Sequence, residues 1–137
     1  MSFERLMAFH CAPALAGIKP ANLFTWHRKK EGDKRDTRTR IRDYEKKLKP
    51  YGIDIATLCE CANYVLVFIY RKEMVEAHLS QPAAKRILVE NGYQAELPLV
   101  SKLEILKSRL VQQVGFPHEI GLFLGYPAED VAGFITH

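Results

Sequence analysis

The run Tyr64-Val-Leu-Val-Phe-Ile-Tyr70 is apolar at every position, so both of its faces must be covered. Six of its seven residues are β-branched or aromatic, which suits a strand in the middle of a sheet. The stretch before it, residues 53–60, alternates in part: Ile53, Ile55, Thr57 and Cys59 share one face if it is extended. Ala62-Asn63 is a plausible tight turn between the two runs, which predicts a hairpin whose second strand is central. A third strand is expected over residues 21–27, ANLFTWH, which is rich in aromatic and β-favouring residues.

Around these strands the pattern is helical. Residues 3–9 predict a short helix capped by Ser2, with Phe3, Leu6 and Met7 on one face, and HCAP (residues 10–13) is expected to break it. Pro13 starts a further short turn that Gly17 ends, and Pro20 forbids continuation. Residues 28–36 form a polar loop. Asp36 or Thr37 then caps a helix running to about Lys49, with Ile41, Tyr44 and Leu48 on its apolar stripe and Pro50 and Gly52 as its stop. Short helices are expected at 72–79 and 82–90. A longer one at 99–114 carries Leu99, Leu103, Leu106, Leu110 and Val114 on one stripe. Two Pro-started turns separated by Gly125 close the chain in FPHEIGLFLGYPAEDVAGFI, residues 116–135. This order predicts an α+β fold: a small three-stranded sheet, central strand about 64–70, packed by several helices including 99–114, with a helical C-terminal half. With 137 residues, a single domain over 1–137 is expected.

The bulk numbers exclude several classes. At 47% hydrophobic and 26% charged the composition is that of an ordinary globular protein, and no apolar run approaches the length of a membrane span. The start of the chain lacks the pattern of a secretory leader, which makes the cytoplasm the default compartment. Three cysteines, Cys11, Cys59 and Cys61, are an odd number without framework spacing and argue against a disulfide-stapled secreted domain. The net charge of +4 conceals an asymmetry: residues 28–49 carry eleven bases and five acids, so the basicity belongs to one segment.

Three strings resemble the uncharacterised bacterial family called Domain of Unknown Function 3793: HCAPALAGIKPANLF at residues 10–24, YVLVFIYR at 64–71 and FPHEIGLFLGYPAEDVAGFI at 116–135. Their order matches across almost the whole chain. The resemblance supplies no catalytic residue and no cofactor. It implies that members continue past the GFI turn into a further strand with more cysteines, so that a chain ending at His137 is expected to be a short or truncated member. A missing strand would leave a sheet edge exposed or paired with another copy, which allows a homodimer.

Five features carry candidate chemistry. Cys11, beside His10 and two residues before Pro13, is expected at the start of a turn, where backbone N–H groups stabilise a thiolate. Nucleophilic catalysis with His10 or His118 as base, or ligation of a soft metal, would follow. The competing reading is a small buried apolar residue. His118 and Glu119 open the PHEIG turn. Glu119 is explained by the dipole of a helix start, and His118 is left over to meet Cys11 in space. Cys59 and Cys61 share a strand face and could hold a metal with outside ligands, a buried sheet face being the simpler reading. Arg35, Arg38, Arg42, Lys46 and Lys49 form a cationic stripe suited to phosphates or another anion. Interleaved acids and the absence of any helix-turn-helix, RNP or zinc-finger pattern make a solvated helix face the simpler reading and disfavour nucleic acid. Gly121 and Gly133, inside helices, each cost about 1 kcal/mol relative to alanine, which close helix packing would justify.

The functional expectation is a cytoplasmic binding or accessory protein. Its pocket would be lined by His10, Cys11, His118 and Glu119 and would hold a metal, a redox cofactor, another small ligand or a redox partner. The alternative is a thiol-dependent enzyme with Cys11 as nucleophile. A weaker alternative is nucleic-acid binding through helix 35–49.

Overall fold

A computed structural model describes residues 2–27, 33–61, 63–94, 96–112 and 117–136, with the backbone alone for 33–36 and 134–136. Residues 28–32 of the expected 28–36 loop, the turn residue Ala62 and the stripe residue Val114 lie outside the described residues. The chain divides into two compact units, Met1–Lys72 and Glu73–His137. The fold is α+β, with a three-stranded antiparallel sheet in the first unit and helices in the second.

In the first unit, α1 (Phe3–Leu15) is followed by β1 (Ala21–His27), α2 (Asp33–Leu48), β2 (Asp54–Glu60) and β3 (Tyr64–Tyr70). The strand order is β1-β3-β2, so the all-apolar strand is central, as its sequence requires. Ala21 pairs with Tyr70 and His27 with Tyr64 on one side of β3, and Asp54 pairs with Tyr70 on the other. One sheet face presents Phe24, Ile55, Val65, Val67 and Ile69 to a core completed by Phe3, Met7, Cys11 and Ala14 of α1 and Ile41 of α2. Phe3 stands among aromatic rings, 5.3 Å from Phe24, 5.4 Å from Trp26 and 5.9 Å from Tyr44 between centroids.

Three local expectations are corrected here. HCAP does not break the first helix. Ser2 caps it, its Oγ accepting from Arg5 N–H at 3.2 Å, and the helix runs on through Pro13 to Leu15. Pro13 has no N–H to donate to Phe9 O, so the helix carries it at the loss of one bond and ends two residues later. It ends in a Schellman turn: Gly17 takes φ +77°, Ile18 N–H donates to Pro13 O at 2.8 Å and Gly17 N–H to Ala14 O at 3.1 Å. Arg71 seals this end by donating to Ala14 O and Leu15 O, both at 2.8 Å, and to Tyr51 O at 3.1 Å. Secondly, α2 starts at Asp33, not at Asp36 or Thr37, because no residue after Gly32 breaks a helix; Thr37 lies inside it and is buried. Its stop is as expected, a single 3-10 turn at Lys49–Tyr51 closed by Gly52 at φ +76°. Thirdly, β2 does not keep one alternation. Thr57 pairs with Val67 and Cys59 with Leu66, so Leu58 is an extra residue, a β-bulge. The bulge moves Cys59 off the face of Ile55 and Thr57 and buries Leu58.

In the second unit, α3 (Lys72–Leu79) and α4 (Pro82–Glu90) match the expected helices, with Pro82 in the first turn of α4. α5 (Leu99–Gln112) buries Leu99, Leu103 and Leu106. The last string folds as the short α6 (Ile120–Phe123), a turn in which Gly125 takes φ +92°, and α7 (Ala128–Thr136). Pro127 O accepts from Asp130 and Val131 N–H and so starts α7, as its position predicts. α7 packs on α4 and α6.

Candidate functional site

Cys11 occupies the inward face of α1, with Phe3, Met7 and Ala14, and is fully buried. The sequence placed it at the start of a turn with a lowered pKa. It instead lies in the second half of a helix, far from that helix's N-terminal N–H groups, and burial pushes its thiol up to about 12. Burial thereby disfavours the thiolate that nucleophilic attack requires. His10, the next residue back, is exposed and packs edge-on against exposed Phe9, centroids 5.0 Å apart. The helix that joins these two residues in sequence turns the sulfur inward and the imidazole outward.

Glu119 is fully buried in the second unit, and its carboxylate is occupied. Arg109 of α5 grips it with two nitrogens: Nε donates to Oε2, and Nη2 donates to Oε1 at 3.3 Å. Tyr93 OH donates to the same Oε2 at 3.0 Å, and Arg109 Nη2 also reaches Asn91 Oδ1 at 3.3 Å. Burial, with the Glu119 charge alongside, pushes the Tyr93 phenol well above its usual range, so Tyr93 stays a donor. The expected role of Glu119 at a helix start is therefore corrected. It is the N-cap residue of α6 but caps nothing with its side chain, and it instead ties the PHEIG turn to α5 and to the chain after α4. Arg109, Tyr93 and Asn91 escaped the sequence reading because ion pairing over long separations leaves no local pattern.

Next to this buried anchor, the PHEIG turn and α7 enclose a groove of about 870 Å³, within the usual range for small-molecule sites. Ile120, Leu124 and Val131 give it an apolar floor, with Pro117 and Tyr126 beside them, and the exposed His118, Glu129 and Asp130 supply its polar groups. The Tyr126 carbonyl accepts a hydrogen bond from His78 Nε2 at 2.7 Å, which fixes the turn between α6 and α7. The two glycines differ. A Cβ on Gly121 would come within 3.0 Å of Val131 Cγ2 and 3.4 Å of Tyr126 Cδ2, so close packing of α6 and α7 accounts for it. A Cβ on Gly133 would meet nothing within 4 Å among the described residues. Gly133 lines the groove.

Arg38, Arg42 and Lys46 of the cationic stripe lie on exposed positions of α2, opposite Ile41, Tyr44 and Leu48, and Lys49 is exposed in the 3-10 turn that follows. Arg38 holds Glu60 with Nε at 3.2 Å and Nη2 at 3.5 Å, and both residues line a hollow of about 150 Å³ with Arg42. Arg38 is thus already engaged by a carboxylate of the protein itself. Lys46 is exposed, and the Arg35 side chain lies outside the described residues. Cys59 and Cys61 are brought together, with their sulfurs 3.2 Å apart. Among the described residues no group of three or more His, Cys, Asp or Glu side chains could hold a metal ion, and no helix is long and apolar enough to cross a membrane.

No curated protein and no solved structure matches the chain. A family described as protein of unknown function (DUF3793) matches residues 7–137, which include all three strings singled out in the sequence, and the chain belongs to that family.

Proposed function

We propose that this protein is a binding or accessory protein whose ligand site is the groove between the PHEIG turn and α7. The observation that carries the reading is the groove itself: an apolar hollow of small-molecule size with three polar side chains, His118, Glu129 and Asp130, along it. Its ligand is a small, largely apolar molecule, of which the ring system of a redox cofactor is one type. A cationic or hydrogen-bond-donating group on the ligand would face the two carboxylates. Gly133 supports this reading: it lines the groove, and among the described residues a Cβ there would meet nothing within 4 Å, which leaves the groove wall open at that point.

Of the residues expected at the site, His118 remains as a ligand contact and Glu119 becomes the buried anchor beneath it. The thiol-enzyme alternative is not favoured, since Cys11 is sealed in hydrocarbon and held protonated. Three cysteines without a disulfide suit the reducing cytoplasm, where we place the protein.

Backbone amide shift mapping against a library of small aromatic amines and neutral ring compounds tests the proposal. Binders should shift residues 118–133 in a saturable way, and Gly133→Leu should abolish the shifts while leaving the rest of the spectrum intact. Binders that cluster around His10, or that ignore the Gly133 substitution, would refute it.

A further inference from the structure

Cys59 and Cys61 are the pair of groups that the groove leaves unexplained. The Leu58 bulge carries Cys59 onto the sheet face of its partner Leu66, and Cys61 closes the hairpin with its N–H on Tyr64 O at 2.9 Å. Both thiols then point to one side, half-exposed, with their sulfurs 3.2 Å apart. Two sulfurs bridged by one metal ion with bonds of about 2.3 Å would stand well over 3.2 Å apart. A disulfide bond needs them only about 1.2 Å closer.

We propose that Cys59 and Cys61 are a reversible dithiol–disulfide pair that exchanges with low-molecular-weight disulfides. One protein thiol loses its proton, and its thiolate attacks a sulfur of the small disulfide. The S–S bond of the small disulfide breaks, and one small thiolate leaves. The second protein thiol, deprotonated in turn, attacks the protein sulfur of the mixed disulfide. The 59–61 bond forms and the second small thiolate leaves. Two electrons pass to the small disulfide, and the two protons end on the released thiols. A bond between cysteines two residues apart closes a small ring, and strained, accessible disulfides are the ones that cycle. Cys11, buried in the core, stays outside the exchange.

The test treats the folded full chain with glutathione disulfide, quenches with acid and maps the thiols by mass spectrometry. Titratable thiols, counted in denaturant, should fall from three to one. The protein should lose two hydrogens and carry no adduct, the bond should map to 59–61, and dithiothreitol should restore all three thiols. Cys59→Ser and Cys61→Ser should each accumulate a stable glutathione adduct on the remaining cysteine instead. The proposal is overturned if the unsubstituted protein itself accumulates a stable adduct, or if a bond forms to Cys11. It is also overturned if the reduced pair retains one equivalent of Cu(I) through gel filtration and then resists oxidation. The groove is not involved, so failure here leaves its ligand reading intact.

Discussion

Replacing Arg109 with methionine should destabilise the protein by about 3 kcal/mol. The Glu119 carboxylate is fully buried and takes hydrogen bonds from Arg109 and Tyr93. Removing one partner of a buried ion pair costs about 3–5 kcal/mol, because the other charge stays behind uncompensated. Tyr93 still donates one bond and the Arg109 side chain is 25% exposed, which puts the expectation at the low end. Glu119→Gln keeps an acceptor for Tyr93 and leaves an arginine that can turn to water, so about 1–2 kcal/mol is expected. The double variant should cost less than the two single changes together, with a coupling of about 2 kcal/mol. Arg109→Lys, which keeps the charge but loses the two-pronged grip, should fall between wild type and Arg109→Met. The assay is urea unfolding followed by far-ultraviolet circular dichroism at pH 7, accepted where the denaturant slope is unchanged. A loss below about 1 kcal/mol for Arg109→Met, or no coupling, would refute the assignment of Glu119 as a structural anchor and return it to the candidate ligand contacts.

Thiol reagents should label Cys59 and Cys61 in the native protein and Cys11 only after unfolding; rapid native labelling of Cys11 would reopen the enzyme reading. Stability should fall above about pH 9, because the Cys11 thiol titrates at about 9.0 in the unfolded chain but is held near 12 by burial in the fold. The unfolded state therefore releases its proton first, at about 1.4 kcal/mol per pH unit, and Cys11→Ala should flatten the pH 9–11 unfolding profile by that slope. Gly121→Ala should destabilise, and its cost should shrink when Val131 is cut to alanine. Gly133→Ala should instead stabilise by up to about 1 kcal/mol, both read as shifts in the urea midpoint.

Features set by local chemistry were legible in the sequence. A strand apolar on both faces had to be central, and Tyr64–Tyr70 is. Pro82, Pro127, Gly17, Gly52 and Gly125 mark starts and stops where their backbone preferences put them. Local signals misled where their effect depends on position or on distant partners. Pro13 reads as a breaker, yet α1 continues through it to Leu15. Nothing in DIATLCE announces that Leu58 is an extra residue, since a bulge is defined by its pairing partner. The cysteine beside His10 looked reactive because adjacency in sequence was read as adjacency in space, whereas helical geometry separates the two. The acid of the PHEIG turn looked like a helix-dipole residue because its arginine lies on another helix.

Titration of the full chain with a neutral, environment-sensitive dye such as Nile red, for wild type and Gly133→Leu side by side, tests the central claim most directly. Saturable binding to wild type, weakened at least tenfold in a variant of equal or greater stability, is the predicted result; equal affinity for both proteins would contradict the groove as the ligand site.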